Sequence, residues 1–412
     1  MRSRLALAVV LSGAAASADV YVPPIGSSGP PPAPRSLRAT TEGVVVHVSP
    51  GEESPRRGLV ARGQRVPYMG QAWAPGCAAP WYRVDPEGYA CGEMFEPSPE
   101  PAEALPQPAV PEGRLLPWAY GYARADGAQV YLREEEVHTD EWDHELDPGF
   151  GLALDRIVSV VGRRFWRTRR GRLIRAGEIA EARPSEFAGV TFGPDSASAY
   201  AWVKSREAYL HDRPGRSGRA GAVEVVGRLA VLPVVEERNL RGRAFLRVGP
   251  DRWVDSRDVR RTTPTARPAD VDDDDRWIDV DRAEQVLTAY EGDRRVFATV
   301  VSTGRALRST PEGEHRIWVK LATSHMDNFE DDEVEEFYSL EDVPWVMYFS
   351  EGVAIHGTFW HDRFGDRRSH GCVNVSVRDA RWLYGWTLPV VPAGWTAAFP
   401  TSRQPGTLVV VR

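Results

Sequence analysis

The chain has 412 residues, 42% of them hydrophobic, and a formal net charge of −7. This length exceeds that of a typical single domain, so we expect two to four folding units, each large enough to bury a core of its own. An acidic chain has no electrostatic reason to bind nucleic acid, so the composition argues against that class of partner.

The first residues have the features of an export signal. Arg2 and Arg4 provide a basic start, and a short apolar run followed by three small residues precedes Asp19. These features predict a signal peptide over residues 1–18, because the apolar run is too short to remain across a membrane. No later segment has the length of a transmembrane helix, so we expect an exported protein without a membrane span, located in the periplasm or cell wall.

The three cysteines fall into two groups. Cys77 and Cys91 are close in sequence, whereas Cys372 lies far downstream. In an oxidising compartment the first two are expected to form a disulfide, and closing a loop of this size contributes about 3 kcal/mol in the chain-entropy model. Cys372 is left as a free thiol.

One pattern occurs three times before the last third of the chain: an aromatic-rich strand, a short turn, a second strand and, a few positions later, an apolar residue. The copies begin at Trp81, Phe165 and Ala244. Short strands, frequent Gly and Pro turns and a period of about 80 residues predict three small all-β modules. These segments resemble bacterial SH3-like barrels, which often lie beside cell-wall enzymes. Binding of glycan or of a wall-associated protein by the modules and a plain spacer role both remain open.

The composition along the chain gives the predicted boundaries. After residue 18 we expect a Pro/Gly/Ser-rich linker at 19–42, modules at 43–96, 117–185 and 197–264, a Pro-rich linker at 97–116, an acidic linker at 265–276 and a C-terminal unit at 277–412.

The C-terminal unit has the alternating pattern of strands that face a core. A hairpin is predicted with its turn at Gly292 and Asp293, and the last residues read as a further strand. Ser376 followed three residues later by Asp379 predicts the start of a short helix. The fold class expected for the whole chain is therefore mainly β, with one short helix near Cys372.

Cys372 is a candidate nucleophile. A thiol attacks a carbonyl carbon well only as the thiolate, and a histidine within hydrogen-bond reach can take its proton. His356, His361 and His370 are the candidates. His370 lies two residues before Cys372 and is close enough to shape the site. His356 lies in a separate strand-like segment that a loop can bring beside Cys372, so it is the better general base.

The residues around Cys372 also indicate a reaction class. Gly357 and Gly371 let the backbone approach a substrate, and N–H groups near Cys372 would stabilise a tetrahedral oxyanion, so acyl transfer is the reaction class that fits best. Zinc binding by the three histidines and the cysteine is one alternative, although no two of these residues have a recognised zinc spacing, and a purely structural His/Cys cluster is another. We therefore predict no metal and no cofactor.

Four separated motifs carry a family resemblance. They are VVSTG ending at Gly304, TPEGEHRI from Thr310, IHGT from Ile355 with the loop WHDRFG after it, and SHGCVN from Ser369. In this order they resemble the catalytic domain of the L,D-transpeptidases, cysteine enzymes that remodel peptidoglycan. The resemblance extends from Trp277 to about Trp386 and implies a β-sandwich with a short helix for the C-terminal unit.

The resemblance also implies roles for individual residues. Cys372 corresponds to the acylated nucleophile and His356 to its base, oriented by the backbone carbonyl of Gly357. Ser369 and His370 shape the site, and the amides of Gly371 and Cys372 stabilise the oxyanion. The family often has arginine where this chain has asparagine two residues after the cysteine. The residues expected to contact the substrate are Asn374, Trp360 and His361.

The implied reaction is an exchange on peptidoglycan stem peptides. Cys372 attacks the carbonyl of the L-configured third residue of a tetrapeptide, releases D-alanine and passes the acyl group to an amine, which forms a 3-3 cross-link when the amine belongs to a neighbouring stem. Water as acceptor would give an L,D-carboxypeptidase, a lysine of another protein would give covalent anchoring, and a catalytically weak wall-binding protein is the non-enzymatic alternative. The insertion Leu321 to Trp345 is a candidate substrate flap, although its acidic run at 330–336 also fits a solvated loop.

Overall fold

The computed structural model describes residues 33–84, 88–194, 196–305, 309–329 and 337–412. The predicted signal peptide, most of the linker at 19–42 and the acidic run at 330–336 lie outside these residues. Within them the chain is mainly β, as predicted, and none of the helices is long and apolar enough to cross a membrane.

The first module is a set of antiparallel strands that starts before the predicted boundary at residue 43. Its first strand pairs with the fourth and the seventh, so residues 36–39 belong to it. A disulfide joins Cys77 to Cys91, as predicted. The strands are β1 (Ser36–Ala39), β2 (Val44–His47), β3 (Arg56–Val60), β4 (Arg65–Ala72), β5 (Trp81–Val84), β6 (Gly88–Cys91) and β7 (Phe95–Ser98).

The second module also consists of short, mostly antiparallel strands, and it contains one short helix. β11 is its longest strand and pairs with both β8 and β12. Its elements are β8 (Ala119–Ala123), β9 (Ala128–Tyr131), α1 (Glu134–Thr139), β10 (His144–Leu146), β11 (Gly151–Val160), β12 (Arg163–Thr168), β13 (Leu173–Arg175) and β14 (Ile179–Glu181).

The third module follows the short strand β15 (Val190–Thr191), which pairs with a strand of the C-terminal unit. The module itself is built from three small sheets. Its strands are β16 (Ala199–Val203), β17 (Glu207–Leu210), β18 (Glu224–Gly227), β19 (Val231–Val234), β20 (Glu236–Leu240), β21 (Arg243–Gly249), β22 (Arg252–Asp255) and β23 (Val259–Arg261).

The threefold sequence pattern corresponds to a repeated local structure. In each module a β-hairpin leads into one turn of 3₁₀ helix, at Gly92–Met94, Ala176–Glu178 and Ser256–Asp258, and a short strand follows. The tryptophans of the three hairpins are buried, because alternate strand positions face a core. The repeat is therefore structural, while the assignment of the modules to the SH3-like class stays a prediction.

The C-terminal unit contains two sheets and one helix. Gly292 and Asp293 connect an antiparallel pair as predicted, and Ser376 caps the helix by accepting the Asp379 N–H at 3.1 Å. The elements are β24 (Arg276–Asp281), β25 (Val286–Glu291), β26 (Arg294–Val300), β27 (Gly313–Arg316), β28 (Val319–Asp327), β29 (Ser339–Ser350), β30 (Val353–Thr358), β31 (Val373–Ser376), α2 (Val377–Trp386), β32 (Trp395–Ala398) and β33 (Leu408–Val411).

One core joins the two sheets of the C-terminal unit to the helix. Strands β24 to β27 and β33 form one sheet, and β28 to β32 belong to the other. Ile278 and Leu287 of the first sheet, Ile355 and Val373 of the second and Leu383 of α2 are all fully buried in one cluster. This arrangement places the middle of β30 and the start of β31, where the candidate catalytic residues lie, against the core.

The modules share strands and core with the C-terminal unit. β3 of the first module pairs with β32, and β11 of the second pairs with β29. The segment predicted as the linker 97–116 also packs inward: Leu116 is 5% exposed and belongs to the same core cluster. The many prolines of residues 97–116 predicted an extended spacer. In the structure, however, the apolar residues of this segment pack against the apolar surface of the C-terminal unit.

Candidate active site

Two parallel strands bring the candidate nucleophile and base to one side of a sheet. Ile355 of β30 is in register with Val373 of β31, and His356 with Asn374. Cys372 directly precedes β31. Because side chains alternate along a strand, Cys372 and Asn374 lie on the same face of the sheet as His356. The intervening residues face the core.

That face is the floor of a cleft of about 480 Å³. Seven of the nine residues predicted as catalytic or substrate-binding line it, and they come from two strands and the loop between them. They are His356, Trp360, His361, Ser369, His370, Cys372 and Asn374. Gly357 points to the opposite side, where Ala380 and Trp345 leave little room for a side chain.

The Cys372 thiol is held by backbone groups of the neighbouring strand. Sγ accepts the Ala354 N–H at 3.4 Å and donates to the Gly352 carbonyl at 3.8 Å. Burial raises the pKa of Cys372 to about 11, and the Ala354 N–H opposes this only in part. At neutral pH the thiol of the free protein is therefore protonated.

His356 is 2% exposed and stacks on Trp360, with ring centroids 5.5 Å apart. Burial lowers its pKa to about 4, while the Gly357 backbone acts in the opposite direction. Within the part of the chain that the structure describes, Nδ1 has no partner that meets hydrogen-bond geometry. The Gly357 backbone hydrogen bond that opposes the effect of burial is therefore long or poorly aligned, and the orientation of this ring by the Gly357 carbonyl stays a prediction.

The loop before Cys372 is shaped by its own side chains. Gly371 has a φ of +124°, which residues with a side chain rarely adopt. Ser369 Oγ donates to the Cys372 carbonyl and accepts the Gly371 N–H at 3.2 Å. The Gly371 amide, predicted as an oxyanion donor, is therefore engaged with Ser369, and the Cys372 amide is the remaining donor of the predicted pair.

Residues of the VVSTG and TPEGEHRI motifs hold this loop in place through hydrogen bonds. Thr310 donates to the Gly371 carbonyl at 2.7 Å and accepts the Gly304 N–H at 3.0 Å. Ser302 and Asn374 exchange two backbone hydrogen bonds of 2.9 Å. Gln285 is 1% exposed and bonds both the Thr303 N–H and the Thr303 hydroxyl. Sequence reasoning did not identify this glutamine, because its contact depends on a residue 18 positions away.

His370 and His361 take separate positions around the thiol. The His370 ring lies 4.9 Å from the Tyr338 ring, at the flap side of the cleft. His361 contacts the Asn374 side chain at 3.0 Å. Burial and the nearby Arg368 lower the pKa of His361 to about 4. His361, like His356, is therefore neutral at neutral pH.

The donor atoms of these residues do not converge as metal ligands would. Among the described residues, the only three donors that lie within 4.8 Å of one another are those of Cys77, Cys91 and Glu93, and both of those sulfurs belong to the disulfide. The four residues considered for zinc are spread around the cleft.

Several cleft residues were not predicted. Arg305 follows the VVSTG motif and Arg368 precedes Ser369, so both could have been found from their proximity to motifs. They bring positive charge to a cleft whose asparagine replaces the arginine common in the family pattern. Tyr122 and Gly149 come from the second module, and no sequence signal placed them there.

Comparisons with known proteins identify a family for the C-terminal unit. Residues 275–411 match the model of the YkuD family, the L,D-transpeptidase catalytic domain. No curated protein matches the sequence.

Among solved structures, an L,D-transpeptidase from Enterococcus faecium is 23% identical over 34% of this chain and 50% of its own, with a TM-score of 0.27. One from Stackebrandtia nassauensis is 26% identical over 34% of this chain and 57% of its own, with a TM-score of 0.24. One from Mycobacterium smegmatis is 17% identical over 63% of this chain and 99% of its own, with a TM-score of 0.27.

This chain thus spans only 50% and 57% of the first two structures. The family match coincides with the two-sheet unit, and its limits lie within a residue of the start of β24 and the end of β33. Residues 275–411 are therefore an L,D-transpeptidase catalytic domain.

Proposed function

We propose that the protein is an exported L,D-transpeptidase that uses Cys372 as its nucleophile and His356 as its base. The observation that carries this proposal is the placement of both side chains on one face of two paired parallel strands, at the floor of the cleft. The substrate class is the tetrapeptide stem of peptidoglycan, on which this family acts.

The first step is acylation. His356 takes the proton of the Cys372 thiol as sulfur attacks the carbonyl of the third stem residue, and the oxyanion is stabilised by the Cys372 N–H. The C–N bond to D-alanine then breaks, and the imidazolium returns the proton to the leaving amine. In the second step an acceptor amine attacks the thioester, gives up its proton to His356 and leaves sulfur as the thiol, with a 3-3 cross-link when the acceptor is a neighbouring stem.

The protonation states of the free protein fit an enzyme that is activated by its substrate. With the pKa of Cys372 at about 11 and that of His356 at about 4, the resting pair is neutral. Proton transfer then becomes favourable only as negative charge leaves sulfur for the carbonyl oxygen in the transition state. A hydrogen bond from Nδ1 of His356 to the Gly357 carbonyl, tightened in the complex, would favour the same step.

Arg305 and Arg368 are the groups that we assign to the carboxylates of the stem. Guanidinium groups bind carboxylates in paired hydrogen bonds, and both residues line the cleft. Asn374 lines the same cleft and offers a neutral contact. A cleft with two cations suits a donor whose terminal D-alanine carries a free carboxylate.

Intact-protein mass spectrometry tests this function. The mature protein is incubated with a tetrapeptide muropeptide beside the Cys372→Ala variant, and released D-alanine is measured. The expected result is a mass increase equal to the stem minus D-alanine in the wild type only. Loss of the adduct on adding a second muropeptide, with appearance of the dimer, would identify transfer to an amine, and loss with a free tripeptide would identify a carboxypeptidase.

A folded wild-type protein with a reduced thiol that forms no adduct and releases no D-alanine would contradict the proposal. Binding to peptidoglycan that persists in both variants would then favour a wall-binding protein.

A further inference from the structure

The second module forms part of the active-site wall. Tyr122, on β8, and Gly149, in the turn before β11, line the same cleft as Cys372 and His356. They precede His356 and Cys372 in the sequence by more than two hundred residues. Only the tertiary fold therefore brings the four residues to one cleft. The cleft is thus built from two units of the chain.

This wall is held against the flap by a shared strand contact. Gly151 at the start of β11 pairs in parallel with Leu340 of β29, and Leu340 itself lines the cleft. A Cβ at position 151 would lie 2.6 Å from a terminal methyl group of Leu340, so a larger residue there would displace the Leu340 side chain.

Buried polar contacts hold the same junction. Glu341 is 3% exposed, forms an ion pair with Arg172 and accepts the Ala153 N–H at 3.4 Å. The Tyr120 hydroxyl donates to the Asp342 carbonyl at 2.7 Å. Because charged and hydroxyl groups of the second module satisfy consecutive flap residues, the position of the wall relative to the flap is well defined.

Tyr122 is the residue of this wall with an unfilled polar group. Its ring is stacked on Phe359 at 6.2 Å, and Phe359 in turn contacts Trp360, the ring that stacks on His356. Its hydroxyl has no hydrogen-bond partner among the described residues. Burial raises the pKa of Tyr122 above its ordinary value, so the group is a neutral O–H donor.

We propose that Tyr122 is a substrate-contacting residue, whose hydroxyl donates a hydrogen bond to a carboxylate or peptide carbonyl of the bound stem. This inference rests on the proposed function. A buried hydroxyl without a partner is unfavourable in the free protein, and a polar atom of the ligand that completes the hydrogen bond recovers that cost on binding. The second module therefore contributes to substrate selection, beyond any role in wall binding or spacing.

The test uses Tyr122→Phe in the full chain, with D-alanine release measured against the concentration of a tetrapeptide muropeptide. This change removes only the hydroxyl and keeps the ring stacked on Phe359. We expect KM to rise by about twofold to tenfold with kcat within about twofold of wild type. The thermal midpoint should be unchanged or higher, because a buried unpaired donor is removed.

Tyr131→Phe is the matched control. Tyr131 belongs to the same module and donates to Asp140 at 2.9 Å, in a separate small core away from the cleft. Its variant should have a lower thermal midpoint and unchanged KM. An unchanged KM in Tyr122→Phe, or an equal rise in both variants, would overturn the assignment. Because the wild type and Cys372→Ala are measured in the same assay, absence of turnover in the wild type would instead reject the proposed function.

Discussion

Asn374 and His361 contact each other at 3.0 Å, between Nδ2 of the Asn374 side-chain amide and Nε2 of His361. Nδ1 of the same ring accepts the Arg363 N–H at 3.2 Å, so a neutral ring carries its proton on Nε2. Because Nε2 then carries the proton, a hydrogen bond between the two side chains requires the Asn374 amide to be turned by 180°, so that its oxygen and not Nδ2 faces Nε2. The Asn374 NH₂ group is left directed away from His361.

Replacing that oxygen with a charged one should raise the pKa of His361. Asn374→Asp places a carboxylate against the Nε2 proton, which favours the imidazolium. We expect the pKa of His361 to move from about 4 toward its ordinary value of about 6.5, as followed by NMR of the imidazole carbons. Asn239→Asp, at an exposed position on β20, is the control and should leave the titration unchanged. A pKa that stays near 4 in Asn374→Asp would refute this pairing.

The free thiol should react as a protonated cysteine. Because burial raises the pKa of Cys372 to about 11, the rate of alkylation by iodoacetamide should rise about tenfold per pH unit between roughly pH 7 and 10. His356→Ala should leave the rate at pH 7 within about twofold, since an imidazole with a pKa of about 4 is already neutral there. A rate that is flat down to pH 6 would instead indicate a thiolate–imidazolium pair and contradict the neutral resting state.

The junction between the second module and the flap should depend on one buried ion pair. Arg172→Met leaves Glu341 buried with fewer partners, and we expect the free energy of unfolding to fall by about 2 to 4 kcal/mol. Arg252→Met is the matched control, because Arg252 and Glu224 are exposed and such pairs contribute about 0 to 1 kcal/mol. Denaturant unfolding of both variants measures the difference. Equal losses would mean that burial does not strengthen the Arg172 pair.

Asp379 gives a prediction with a defined pH window. Burial raises its pKa from 3.8 to about 6, although Thr299 and the Gly189 N–H both donate to it. A folded-state pKa above the unfolded value means that folding favours the protonated form, so this contribution is complete below about pH 4 and is lost as pH rises through about 6.

Asp379→Asn should remove that dependence. The difference in unfolding free energy between the variant and the wild type should therefore change by about 2 kcal/mol between pH 4 and pH 7, in favour of the variant at the higher pH. Ser376→Ala, which removes the helix cap and keeps the titrating carboxyl, should lower stability by about 1 kcal/mol and retain the loss of stability with rising pH. A difference for Asp379→Asn that is the same at pH 4 and pH 7 would contradict the raised pKa.

The parts of the site that follow from local sequence could be predicted. The cap at Ser376, the hairpin around Gly292 and the candidate pair Cys372 and His356 each depend on residue types at short spacing. The support of the Cys372 loop by Gln285 and the wall made by Tyr122 could not be predicted, because each depends on pairing between distant strands. Gly151 shows the difficulty: its role is to admit Leu340, and nothing in its own neighbourhood identifies that partner.

The pairing of β11 with β29 also bears on how this chain can be divided. A piece cut at the limits of the family match would expose the strand edge at Leu340 and leave Glu341 without Arg172. The Leu116 and Tyr120 side chains would no longer cover the core beneath the flap. Open edges and bare apolar surface promote association between copies. The smallest part of this protein that folds on its own is therefore expected to be larger than residues 275–411, and expression of those residues alone should yield aggregates.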